Sequence, residues 1–165
     1  MTLQKLSKHI LVWALTLSAA GVISSCGNNG CEETRESYLC VQFKPSSERN
    51  IRSLTAWGLT PQGDSLLMQY GNNQLTEVEF YLKPDTTFTQ ILMHCVVTEY
   101  DETLQFDDTL SVHYTNYPYF LDIECGCSMF YEIDSVQVTH SLFKNCTLKN
   151  DKITNEENVN VLLQY

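Results

Sequence analysis

At 165 residues the chain has room for one domain and a short appendage. Its 10 Lys and Arg against 20 Asp and Glu give a net charge of −10, which excludes a general nucleic-acid binder, because no basic face is available to displace counterions from phosphate. An apolar fraction of 43% with 11% aromatics excludes a wholly disordered chain, and seven cysteines point to an oxidising compartment.

In chain order, Lys5, Lys8 and His9 form a basic head before the apolar run Ile10 to Leu17, and small residues then lead to Ile23-Ser24-Ser25-Cys26. These are the three parts of a secretory signal, and the apolar run is too short to span a bilayer comfortably, which sets a cleaved signal ahead of a retained transmembrane anchor. Ile23-Ser24-Ser25-Cys26 resembles the bacterial lipobox. That resemblance implies a signal peptide over residues 1–25, cleavage before Cys26, and lipidation of the Cys26 thiol. Several acyl chains, at about 0.8 kcal/mol per buried methylene, make a durable anchor. Gly27 after the cysteine favours the outer membrane, with the periplasmic and surface faces both open. Cleavage removes Lys5 and Lys8 but no carboxylate, so 8 basic and 20 acidic side chains remain and the net charge moves from −10 to −12. Residues 26–37 then read as the lipidated cysteine and a tether, flexible where Gly27-Asn28-Asn29-Gly30 lies.

With Cys26 taken by lipid, Cys31, Cys40, Cys95, Cys125, Cys127 and Cys146 remain. An even number in an exported domain predicts up to three disulfides of open connectivity. Cys125-Gly126-Cys127 could instead be a redox pair. Asp122 and Glu124 beside it work against a depressed thiol pKa, and no Lys or Arg lies between Lys83 and Lys144. No metal or cofactor is expected, because His94, His113 and His140 show none of the paired spacings of zinc sites. Parity along the strands places His113 at the surface and His140 in the core.

Beyond Cys26 the pattern is period-two alternation without helical periodicity. Leu39, Val41 and Phe43 alternate with polar or small neighbours, and Leu54 to Leu59 is a second strand. Pro61-Gln62-Gly63-Asp64 is a turn, and Ser65 to Tyr70 returns from it. Val78, Phe80 and Leu82 mark a half-buried strand. Phe88 to Glu99 is apolar on both parities, as for a central strand covered on both sides. Asp101 to Asp108 reads as an acidic connection, and a calcium site in Asp101, Glu102, Asp107 and Asp108 is set against a solvated hairpin tip. Thr109 to Thr115 alternates cleanly. Tyr117-Pro118-Tyr119-Phe120 follows as an edge or a strand entry, because Pro cannot donate to a ladder. Met129 to Ile133, Val136 to Phe143 and Val159 to Leu163 complete the set, with Asn150 to Asn158 as a polar loop. Residues 38–165 therefore read as one all-β domain, a single antiparallel β-sandwich of immunoglobulin-like or similar type, with a small β-barrel as the alternative.

The stretch from Asp108 through Tyr117-Pro118-Tyr119-Phe120 to Cys125-Gly126-Cys127-Ser128-Met129-Phe130-Tyr131 resembles a family of short Bacteroidota lipoproteins. That family's domain has no known function. Cys31 and Cys40 match its opening cysteines and Glu157 to Leu163 its closing strand, while Cys127 and Cys146 depart from its pattern. The resemblance implies an address and a fold but no catalytic residue. Exported proteins of that phylum also carry O-glycans at Asp followed by Ser or Thr. Ser65, Thr86, Thr109 and Ser135 stand in similar tripeptides, although Asp in a turn before a strand gives the same pattern.

For function, Glu77 and Glu79 on one strand face are the one carboxylate pair that could do glycosidic acid and base work, and such pairs are usually just a solvated face. No nucleophile elbow, HExxH or phosphate-cradling loop is present, so no enzyme and no catalytic residue is expected. Tyr114, Tyr117, Tyr119 and Phe120 are the candidate contact for a ligand or partner, because aromatic rings combine area with a polar handle. The expectation is an outer-membrane lipoprotein, held to the membrane by its lipid anchor, whose non-catalytic domain binds an unknown envelope protein or glycan. A structural subunit of an envelope complex is the alternative, and a carbohydrate-active enzyme a more distant one.

Overall fold

The computed structural model describes residues 36–45, 49–61, 63–71, 74–100 and 102–165. All of them fall in a compact unit spanning 32–165. The signal region 1–25, the lipidation candidate Cys26, the bridging candidate Cys31 and the calcium candidate Asp101 lie outside the described residues.

Ten strands make up the described chain: β1 (Tyr38–Lys44), β2 (Asn50–Leu59), β3 (Ser65–Tyr70), β4 (Glu77–Tyr81), β5 (Phe88–Glu99), β6 (Glu102–Asp122), β7 (Gly126–Val138), β8 (Asn145–Leu148), β9 (Lys152–Ile153) and β10 (Val159–Gln164). They form a four-stranded sheet in the order β4-β1-β10-β8 and a six-stranded sheet in the order β3-β2-β5-β6-β7-β9. Neither sheet closes on itself, so the fold is a β-sandwich and not a barrel. One pair is parallel. β10 runs alongside β1, with Val41 opposite Val161 and Phe43 opposite Leu163, and the other pairs are antiparallel.

The alternating positions supply the core. Leu39, Val41 and Phe43 of β1 face inward with Val78 and Phe80 of β4 and Val161 and Leu163 of β10. From the larger sheet come Ile51, Leu54 and Ala56, then Ile91, Met93, Cys95 and Val97, then Leu110, Val112 and Tyr114. Each fully buried aliphatic side chain contributes roughly 1.5–3 kcal/mol relative to exposure. β5 is the central strand that its apolar parities predict, paired with β2 on one side and β6 on the other.

Two expectations about β6 and β7 need correction. The acidic stretch from Glu102 to Asp108 is strand, and β6 continues without a break to Asp122. Pairing with β5 along Thr103 to Asp108 outweighs the low strand propensity of the carboxylates. β6 leaves β5 beyond His113, so Pro118 sits where β6 pairs with β7 alone, a position at which a missing N–H is tolerated.

The strand expected from Val136 to Phe143 stops instead at Val138. Buried Asp108 is the cause. Its carboxylate accepts from Thr139 Oγ1 at 2.6 Å and the backbone N–H of Ser141 at 2.9 Å, Leu142 at 2.6 Å and Phe143 at 3.1 Å. A chain whose successive amides converge on one carboxylate cannot also run as a ladder. His140 is consequently exposed in this turn and not in the core; its Nδ1 lies 3.0 Å from the Phe143 carbonyl oxygen.

Candidate functional site

The aromatic cluster singled out from sequence separates into two roles. Tyr114 is fully buried and cannot touch a ligand. Its hydroxyl donates to the Lys83 carbonyl at 3.0 Å and accepts from Thr89 Oγ1 at 2.8 Å. Tyr131, edge-on to Tyr114 at 5.6 Å, donates to the Leu82 carbonyl at 3.1 Å. Asn116 Nδ2 donates to the Thr86 carbonyl at 2.9 Å. Three side chains of the β6–β7 pair thus hold the segment linking β4 to β5.

Tyr117, Tyr119 and Phe120 are exposed on the free-standing part of that pair. Phe130 lies between the two tyrosines in space, stacked on Tyr119 at 4.7 Å and edge-on to Tyr117 at 6.3 Å. Phe120 is opposite Cys127 in the ladder. The tip carries Ile123, which is 94% exposed, and the turn is closed by the Cys125 N–H donating to the Asp122 carboxylate. Gly126, at φ 75°, takes the left-handed conformation this turn needs.

The linker held by Tyr114, Tyr131 and Asn116 forms one wall of a groove of about 560 Å3. Lys83, Asp85, Thr86 and Phe88 come from the linker and the start of β5, Gly58 to Pro61 from the end of β2, Leu67 from β3 and Tyr81 from the end of β4. Tyr81, Phe88 and Leu67 are exposed apolar surface there. Tyr81 donates to Glu36 Oε2 at 3.0 Å and lies 2.7 Å from the Tyr38 hydroxyl, which is therefore the donor in that pair. Partial desolvation and the Glu36 carboxylate push the Tyr81 hydroxyl above its usual range. The lining is more apolar than polar, with Lys83 and Asp85 supplying one charge of each sign and Tyr81 and Phe88 two aromatic rings. Such a surface suits an extended or ring-bearing ligand. Sequence reasoning missed the groove because its residues are dispersed over four elements; Tyr81 and Phe88, aromatic at strand ends, were the available signal.

Among the described residues, one of the candidate bridging cysteines is disulfide-bonded and four are not. Cys40, Cys95, Cys127 and Cys146 are free thiols, and Cys125 is disulfide-bonded. Cys40 faces the outer side of β1 and Cys95 the core, so side-chain direction keeps buried thiols apart that sequence spacing leaves eligible. Burial pushes Cys95 to about 12, with Asp108 and Asp107 adding to it. Burial also raises Cys40 to about 12, helped by a hydrogen bond to Glu77 and the charge of Glu79. Desolvation takes Cys146 to about 11. These are unreactive thiols. Glu77 and Glu79 serve as neighbours of Cys40.

Among the described residues no group of three or more His, Cys, Asp or Glu is placed to hold a metal ion. Asp107 and Asp108 of the calcium candidate are split between faces. Asp107 Oδ1 lies 2.7 Å from His94 Nδ1 at the surface, while Asp108 is sealed in the turn network. Of the O-glycan candidates, Ser65 is exposed and Thr86, Thr109 and Ser135 are half-buried. Thr86 Oγ1 is engaged at both ends with Phe88, accepting from its N–H at 2.9 Å and donating to its carbonyl at 2.6 Å.

Residues 53–165, from β2 to the last residue, match a family of unknown function (DUF6452). The chain belongs to that family. The groove and the β6–β7 pair both fall within the matched residues, while β1 and the start of β2 precede them. Neither a curated protein nor a solved structure matches the chain.

Proposed function

We propose that this chain is a bacterial outer-membrane lipoprotein whose sandwich, residues 38–165, binds a component of the cell envelope without transforming it. The resemblance of residues 23–26 to a lipobox supports the anchor at Cys26, and a short tether over residues 26–37 then carries the domain. The observation that carries the binding role is the groove beneath the Lys83–Phe88 wall. It offers exposed Tyr81, Phe88 and Leu67 on a rigid frame, while Tyr114, Asn116 and Tyr131 spend their polar groups holding that wall in place. Preorganised rings bind with little loss of side-chain entropy. The ligand class that fits is an extended segment of an envelope protein, laid along the groove with Lys83 and Asp85 in its lining.

Two measurements test this reading. Labelling of growing cells with an alkyne fatty acid should mark the wild-type chain and leave Cys26→Ala unmarked; an unmarked wild type overturns the anchor. Photo-crosslinking from position 88 in intact cells should trap a discrete protein adduct that Tyr81→Ala abolishes. Adducts on polysaccharide alone would move the assignment to a glycan. Release of reducing sugar by the purified chain would overturn the non-catalytic role.

A further inference from the structure

β3 ends the larger sheet. One of its edges pairs with β2, and among the described residues no strand covers the other. Five of its six residues are exposed and Met68 is half-buried. Leu66 is 58% exposed, Leu67 37% and Tyr70 49%. The sequence Ser65-Leu66-Leu67-Met68-Gln69-Tyr70 has no charge and no proline to guard the edge against pairing, so its guards are its short length and one bulge. The register with β2 slips between Ala56 and Trp57, leaving Leu67 as the additional residue of a bulge. A methyl built on Gly58 would meet both Leu67 Cδ2 and Ser65 Oγ, so these two side chains share the inner face.

The charges say what covers this edge. A second copy of a chain carrying −10 is repelled over most approaches, and a neutral strand is where that repulsion is least. In antiparallel self-pairing the Asp64 end of one β3 falls beside the Tyr70 end of the other. There Arg52, exposed on the neighbouring strand just beyond Leu54, the partner of Tyr70, supplies the opposite charge. A twofold pairing would turn Asp64 of each copy towards Arg52 of the other.

We propose that β3 is a homodimer seam: two copies pair β3 to β3, antiparallel, about a twofold axis near Leu67 and Met68, and the six-stranded sheet runs on across the axis. The pairing satisfies the free edge groups of both strands. It also brings Leu67 and Met68 of each copy together on the inner face. An edge of six residues buries less than a standard interface, so the dimer is weak, with a dissociation constant on the order of 0.1 mM. Leu67 also lines the groove, so the seam and a groove ligand meet at that residue, while Leu66, Met68 and Gln69 belong to the seam alone.

Sedimentation equilibrium of the full chain in density-matched detergent tests it. The protein mass should rise with concentration towards twice the monomer. Leu66→Lys with Gln69→Lys, both at exposed positions, should keep it monomeric with unchanged far-ultraviolet circular dichroism. In a Cys127→Ser background, Met68→Cys should form a homodimeric disulfide in membranes, whereas Thr147→Cys on the other sheet should not. A wild type that stays monomeric to about 1 mM overturns the seam. So does a dimer indifferent to the two lysines, or a Met68→Cys chain that crosslinks only to a different protein, which would give the edge to that partner.

Discussion

Asp108 shows how one residue sets local structure. Four donors converge on its two oxygens at 2.6–3.1 Å in a site only 1% exposed. Asp108→Ala would leave three amides without an acceptor, and chemical denaturation should report a loss of about 3–5 kcal/mol. Asn160 does comparable work beside the parallel pair. Its Oδ1 accepts from the Cys40 N–H at 3.0 Å and its Nδ2 donates to the carbonyls of Asn150 and Lys152. Tyr114→Phe tests the support of the groove, because it removes the hydroxyl that holds Lys83. A stability loss of about 1–2 kcal/mol is expected, with faster amide exchange confined to residues 83–87. Exchange that speeds uniformly through the core would contradict that role. Thiol labelling should follow burial: Cys127 reacts at once with a neutral alkylating reagent, while Cys40 and Cys95 react only on unfolding.

At the scale of elements, the parallel entry of β10 between β1 and β8 makes the last strand the keystone of its sheet. Its Val161 and Leu163 are buried, and Tyr165, 2% exposed, packs edge-on against Phe143 at 6.0 Å. A chain ending at Asn158 would expose β1 and β8 to solvent together. It should lose its cooperative thermal transition; a cooperative melt would disprove the keystone role. The β6–β7 pair is a different kind of element. Beyond His113 it stands without β5, and its rings pack on one another across the two strands. Such a ribbon is marginal by itself, and the Tyr119–Phe130 stack is one of its internal supports.

For the whole molecule, the thiols and tyrosines set an alkaline limit. Cys40 and Cys95 move from an ordinary 9.0 to about 12, and Tyr131 and Tyr165 are also raised, chiefly by burial. The folded chain then keeps protons that the unfolded chain releases, so stability is full below pH about 9 and falls as pH rises towards 12. Denaturation midpoints measured at pH 8 and 10.5 should drop, and a Cys95→Ala chain should lose part of that drop. A flat profile would mean these groups are solvated in the fold.

The amino-acid sequence by itself determined the all-β class and most inward-facing residues, because period-two alternation in β1, β4 and β5 is a local property that every plausible pairing must respect, while two open sheets rather than a barrel were decided by strand order. It also singled out Tyr114, Asp108 and the cysteines as residues of consequence. Their roles were decided only in three dimensions. Tyr114 became a strut and not a contact because its strand parity points it into the core against Lys83, a residue 31 positions away. Asp108 left an acidic cluster for a buried turn because the amides of residues 141–143 fold over it. The cysteines separated because strand order, which sequence does not encode locally, assigns their side chains to opposite faces. The groove and the bare β3 edge arise the same way: a six-stranded sheet set against a four-stranded one leaves surface that no single segment announces.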